Sequence, residues 1–156
     1  MTHAHAATVA SVLQRHRPSP GQPANILRTL LAIQRAVGHV PAEEVTAVAE
    51  ALGVGEADVA GVLSYYPDLH TKPRGRHIIR LCMGEACVAN RSARLLAELT
   101  RHLDVGLGGT SPDGRYTLER VYCLGNCAVG PTVMVDDMIY GRVTPAEVQH
   151  IVNERP

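Results

Sequence analysis

A chain of 156 residues with 46% hydrophobic and 19% charged residues has an ordinary globular composition, and it is long enough for one core plus a small extension. Its 15 basic residues balance its 15 acidic ones, which argues against a nucleic-acid binder, since that would need a concentrated basic face. No apolar run reaches the roughly 20 residues of a membrane span, and no basic-then-apolar leader opens the chain, so the cytoplasm is the expected compartment.

Phe and Trp are absent, so the core must be aliphatic. Residues 1–7, with His3 and His5, read as a flexible tail, and residues 8–17 as a short helix with Val9, Val12 and Leu13 on one face. Pro18, Pro20, Gly21 and Pro23 then form a linker. Residues 25–37 place Ile26, Leu27, Leu30, Leu31, Ile33 and Val37 at helical spacing, and Gly38 stops the run. The next helix starts at Pro41, with Glu43 and Glu44 suited to its dipole, and Gly53 closes it. A fourth covers residues 56–65, and Tyr65 and Tyr66 read as core or as a contact.

Beyond the connector at residues 67–75 the character changes. Residues 77–81 form a short β-branched strand, and residues 91–103 an amphipathic helix carrying Leu95, Leu96, Leu99 and Leu103. Ser111-Pro112-Asp113-Gly114 reads as a turn and residues 116–122 as a second strand. Residues 132–135 and 138–140 pair through Asp136-Asp137 as a hairpin. The last helix opens on Thr144-Pro145-Ala146-Glu147, a capping box with proline in the first turn. The expected fold class is therefore α/β (α+β), with a β-α-β, then β-β-α order. Three regions follow: a flexible segment and short helix at 1–20, a helical bundle at 21–72, and a thioredoxin-like domain at 73–156.

All four cysteines fall in that last region, as Cys82-x4-Cys87 and Cys123-x3-Cys127. Each pair follows a predicted strand and lies in a glycine-containing loop, so strands ending side by side would gather four thiols. In a reducing compartment such clustering points to metal more than to disulfides. A thioredoxin dithiol needs C-x-x-C and a Rieske centre needs two histidines, and neither pattern is present. Structural zinc prefers shorter chelate pairs but stays open. Spacing favours an iron–sulfur cluster, most simply [2Fe–2S]. Gly84, Gly125 and Gly130 would let backbone N–H groups approach the sulfurs. Leu81, Met83, Ala86, Val88, Leu124, Ala128 and Val129 would keep water away. His77 and His102 read as ordinary packed or surface histidines.

Several of these stretches together resemble a known family. They are Leu30 to Pro41 with its Ile33-Gln34 and Gly38, Val62-Leu63-Ser64-Tyr65-Tyr66-Pro67, Pro73-Arg74-Gly75, the two cysteine motifs, and Gly130-Pro131. The chain is similar to the thioredoxin-like [2Fe–2S] ferredoxin subunits (NuoE type) of NADH-oxidising complexes, with Ser64-Tyr65 where the family has Thr-Phe. The resemblance implies one [2Fe–2S] cluster held by Cys82, Cys87, Cys123 and Cys127. It implies a hetero-oligomer with a flavoprotein subunit carrying FMN and the NAD site, which the N-terminal bundle grips, and with a larger catalytic subunit. The segments 121–125, 130–135 and 140–143 look most like the gamma subunit of NAD-dependent molybdenum or tungsten formate dehydrogenases. Complex I and NAD(P)-linked hydrogenases are the alternatives. The chain has no G-x-G-x-x-G and no P-loop, so it would exchange electrons without binding a nucleotide itself and without catalysis of its own.

Overall fold

The computed structural model describes residues 2–154, and it divides into two compact units, Met1–Pro73 and Arg74–Pro156.

The first unit is built from four helices: α1 (Thr2–His16), α2 (Ile26–Val37), α3 (Val45–Leu52) and α4 (Glu56–Tyr65). Helix α1 starts at Thr2, so residues 2–7 are not the tail expected from the sequence, while Met1 lies outside the described residues. The reason is local: Ala4, Ala6 and Ala7 are strong helix formers, and no glycine or proline interrupts them. The His5 ring also meets His39 edge-on at 5.6 Å. Helix α2 is bounded as its sequence dictates. The Asn25 side-chain carbonyl accepts the Arg28 N–H at 2.9 Å, and Gly38 takes φ 91° to close the other end. A 3-10 turn, Ala42–Glu44, precedes α3.

Val9, Val12, Leu13, Leu30, Ile33, Val40, Val48, Leu52, Val59 and Leu69 make an all-aliphatic core, as a chain without Phe or Trp requires. Leu69 belongs to it because Gln34 clamps the segment after α4. The Gln34 amide donates to the Asp68 carbonyl at 2.7 Å and accepts the His70 N–H at 2.8 Å. Tyr65 and Tyr66 are not core: they are 78% and 39% exposed and stack edge-on against each other at 5.2 Å. Each lies at the end of α4, past the last turn whose inner face Val59 buries.

The second unit carries β1 (His77–Cys82), α5 (Glu85–Ala89), α6 (Ser92–Leu103), β2 (Tyr116–Val121), β3 (Val133–Val135), β4 (Met138–Tyr140) and α7 (Pro145–Asn153). The sheet order is β2-β1-β3-β4, with β1 and β2 parallel and the other pairs antiparallel. Alternation decides which side is covered. Ile79 and Leu81 of β1, Tyr116 and Leu118 of β2, and Val133 and Val135 of β3 join Leu95, Leu99, Leu103, Val148 and Val152 of α6 and α7 in one core. Tyr116 brings an aromatic ring into that buried set, and its hydroxyl donates to the Val152 carbonyl at 2.6 Å. On the other side of β1 and β2, Glu119 pairs with Arg74 and Arg80 at 3.2 and 3.1 Å.

Helix α7 is capped as its sequence predicts. The Glu147 carboxylate accepts both the Thr144 N–H and hydroxyl at 2.8 Å, and these bonds hold it below the usual carboxylate range. Asp113 is lowered chiefly by the Ser111 hydroxyl, and Glu98 chiefly by the Gln149 amide. A depressed folded-state pKa contributes stability that is present at neutral pH and is lost as acid protonates the group. The metal-free chain should therefore lose stability as the pH falls below about 5. Glu147→Gln should lower the neutral-pH midpoint and flatten that acid limb, which thermal melts across the range would read.

Candidate metal centre

The parallel pairing of β1 and β2 builds the site. Cys82 is the last residue of β1 and lies in register with Val121, the last residue of β2, so both chains leave the sheet at the same end. The Met83 N–H then donates to the Val121 carbonyl at 2.7 Å, carrying the contact one residue past the strands. Gly84 sits against the backbone of Tyr122: a Cβ built there would lie 2.2 Å from the Tyr122 carbonyl oxygen and 3.7 Å from the Cys82 sulfur. Only hydrogen fits between the two loops at this point.

The first motif is a helical turn rather than an open loop. Helix α5 begins just after Gly84, the Val88 N–H donates to the Gly84 carbonyl at 2.9 Å, and Cys87 points inward from the helix. The signal was in the sequence: Ala86 and Ala89 favour helix, and Asn90 stops it by donating its amide to the Ala86 carbonyl at 2.7 Å. In the second motif Gly125 takes φ 75° and turns its N–H onto the Cys123 sulfur at 3.2 Å. A 3-10 turn, Cys127–Val129, follows. Gly130 closes the far side, where a Cβ would lie 3.2 Å from the Cys87 sulfur. The three glycines therefore divide the work: Gly125 donates to a sulfur, while Gly84 and Gly130 make room.

No disulfide joins any of the four cysteines. Cys82 and Cys87 are 2% and 1% exposed and hydrogen-bond to one another; Cys123 and Cys127 are exposed, with sulfurs 3.7 Å apart. The apolar surround expected from the sequence is thus one-sided. Leu81 is buried beside the first pair, but Val88 is 46% exposed, Ala128 is exposed and Leu124 and Val129 are only half-buried around the second. The reason is position: Cys82 and Cys87 lie under the sheet end and α5, whereas the second loop runs past the edge strand β2.

Among the described residues, no three His, Cys, Asp or Glu side chains close round a single point. The thiols fall instead as two pairs, the division that two bridged irons require, each iron taking two thiolates. The electrostatics agree with that donor set. Burial, then the neighbouring Cys82, pushes the Cys87 thiol up, while hydrogen bonds from Thr132 oppose the shift. Sharing a proton with Cys123 is the main cause that raises Cys127. Each pair resists double ionisation as bare thiols, and a cationic iron centre between the sulfurs removes that conflict.

Thr132 is the residue that sequence reading missed. It is fully buried, its carbonyl accepts the Cys82 N–H at 3.0 Å, and its backbone N–H and hydroxyl both reach Cys87. The hydroxyl also stands 3.5 Å from the Asn126 carbonyl, one residue before Cys127. Only its place directly after Gly130-Pro131 marks it in the sequence. His77 and His102 take no part: His77 bonds Asp136 at 2.9 Å and His102 bonds Asn153 at 3.1 Å.

Comparison with known proteins places these features. The family model of the thioredoxin-like [2Fe–2S] ferredoxins matches residues 9–155. The chain is 38% identical over 126 residues to the NuoE subunit of NADH-quinone oxidoreductase from Pseudomonas aeruginosa, covering 81% of this chain and 76% of that protein. It is 33% identical over 143 residues to the NADP-reducing hydrogenase subunit HndA of Solidesulfovibrio fructosivorans, covering 92% and 84%. Among solved structures, a NAD+-reducing [NiFe]-hydrogenase in the air-oxidised state shares the fold with a TM-score of 0.66 at 17% identity. That match spans 91% of this chain and 23% of the other.

Proposed function

The chain belongs to the thioredoxin-like [2Fe–2S] ferredoxin family, and from that premise we propose that it is the electron-transfer subunit of an NADH-oxidising complex, with Cys82, Cys87, Cys123 and Cys127 as its cluster ligands. One observation supports the reading: parallel β1 and β2 end in register, so the two cysteine pairs follow the same end of the sheet. A [2Fe–2S] cluster supplies one-electron redox chemistry. The chain's own residues divide the remaining tasks. Cys82 and Cys87 anchor the buried side, the Gly125 N–H and the Thr132 hydroxyl offset negative charge on the sulfurs, and exposed Cys123 and Cys127 form the edge through which electrons pass. Tyr122 and Val88, 69% and 46% exposed, flank that edge.

The partner in this reading is a flavoprotein subunit carrying FMN and the NAD site, since a hydride carrier delivers electrons in pairs and a flavin divides them. The complex is cytoplasmic, and among the described residues no helix is long and apolar enough to cross a membrane. Within the family, segments 121–125, 130–135 and 140–143 favour the gamma subunit of a NAD-dependent formate dehydrogenase with a larger catalytic subunit. A NuoE subunit of a quinone reductase and a hydrogenase subunit such as HndA are the readings that the relatives' names favour.

Anaerobically purified protein should be brown, hold two irons per chain and give an EPR signal on reduction. A colourless chain with one zinc would replace this reading with a zinc-stabilised interaction module. Formate-, quinone- or hydrogen-dependent NAD turnover by the co-purified complex would decide among the three assemblies. A finer test concerns Thr132. Hydrogen bonds to cluster sulfurs favour the reduced, more negative state, so Thr132→Val should lower the reduction potential and Thr132→Ser should restore it. An EPR-monitored potentiometric titration with all three proteins at one potential would show that Thr132 does not tune the cluster.

A further inference from the structure

A second site lies on the far side of the Gly130–Pro131 turn. An open cavity of about 270 Å³ is bounded there by the start of α6, that turn and the segment leading into α7. Arg91, Arg94 and Arg142 line it, over an apolar floor that includes Leu95, Pro131 and Val143. No Asp or Glu is among its lining residues. Elsewhere in this unit Arg74 and Arg80 share Glu119, and Arg101 takes Glu98, while Arg120 lies over the Tyr122 ring. Among the described residues, Arg91, Arg94 and Arg142 have none. Glu147, in the first turn of α7, gives its carboxylate to Thr144 instead.

Arg91 and Arg142 adopt φ 67° and 54°, the left-handed region that residues with a Cβ rarely occupy. Asp104 and Asp136 share that region outside this cavity, so the angle marks turns, and these turns set two of the three guanidiniums beside the cavity. Three exposed like charges round one concavity favour an anion there, although water and salt screen part of their repulsion. A single carboxylate would leave most of that charge unmet. A phosphate ester carries about two negative charges and a diphosphate more, with oxygens that match the guanidinium fork.

We propose that this cavity binds a phosphate-bearing small molecule, Arg91, Arg94 and Arg142 taking the phosphate oxygens and Leu95, Pro131 and Val143 the organic body. The inference stands whether or not the thiols carry iron. Its test is calorimetric titration of the full chain, at fixed ionic strength, with inorganic phosphate, pyrophosphate and ADP. Pyrophosphate should bind saturably at one site, and Arg94→Gln or Arg142→Gln should each weaken it by about tenfold or more. Arg101→Gln, on the same helix but paired with Glu98, should leave binding unchanged, and Arg94→Lys should retain part of it. Tighter binding of ADP than of pyrophosphate would assign the apolar floor to a nucleotide; equal binding would assign the site to the phosphate group itself. The proposal falls if no phosphate compound saturates, if the glutamine variants bind like the parent, or if only an acidic peptide binds. Thermal melts of each variant separate loss of the site from loss of the fold, and Arg94→Lys keeps the test open if Arg94→Gln does not fold.

Discussion

Cys87→Ala is expected to strip the protein of its iron, and to do so more completely than Cys127→Ala. Both changes remove a thiolate, but what can replace it differs. Cys87 is 1% exposed, enclosed by α5 and the Gly130 turn, so no water can take its place without opening the fold. Cys127 is exposed, and solvent can occupy the vacated position. The expected order is an iron-free, colourless Cys87→Ala protein and a Cys127→Ala protein that retains some iron with altered, labile absorbance. Both should keep their helical content, because the aliphatic cores do not include Cys127 and lose only one small side chain with Cys87. Iron analysis, visible spectra and circular dichroism of the anaerobic proteins read all three quantities. Full iron in either variant would sink the assignment of ligands.

Gly84→Ala should be nearly as damaging without touching a sulfur. Its added methyl would sit 2.2 Å from the Tyr122 carbonyl oxygen, and that atom belongs to backbone that cannot swing aside. Tyr122 immediately precedes Cys123, and Gly84 lies two residues after Cys82. Relief of the clash must therefore move one cysteine loop away from the other. Overpacking of this kind costs about 1–3 kcal/mol. Shifting groups around a metal site also lowers metal affinity by about 10- to 100-fold. We expect iron retention to fall by at least about tenfold while the melting of the first unit is unchanged. Gly61→Ala, whose added methyl meets nothing within 4 Å, is the matching control. Normal iron content in Gly84→Ala would mean that the contact between the loops does not set the spacing of the thiols.

Much of the fold was legible because it is local. Asn25 and Gly38 bound α2, and Thr144 with Glu147 caps α7, through hydrogen bonds spanning only three or four residues, which a sequence pattern displays directly. The strands β1 to β4 were visible for the same reason, β1 as a β-branched run and the others as short apolar stretches between turn residues. The helix at residues 2–7 and the turn α5 were not. The first is the opening of α1, before its apolar face begins at Val9, and the second is only five residues long, so neither shows a period and the intrinsic preference of alanine decided them. Tyr65 and Tyr66 could not be placed because aromatic residues at a helix end satisfy core and surface patterns equally.

By itself, the order of residues determined where the thiols fall: four in two pairs, each after a strand, with glycines where backbone must come close. It also determined an aliphatic core in the first unit, since no Phe or Trp was available, whereas Tyr116 brings a ring into the second. Only the tertiary structure decided that the first pair is buried and the second exposed, that Gly84 is the point where the loops touch, and that buried Thr132 reaches Cys82, Cys87 and Asn126 together. It likewise brought Arg91, Arg94 and Arg142, from two distant stretches of the chain, around one cavity. Hydrogen-bond caps and periodicity act over a few residues and are written along the chain. Burial and convergence arise from pairing β1 with β2 and β3, and pairing across dozens of residues leaves no local mark.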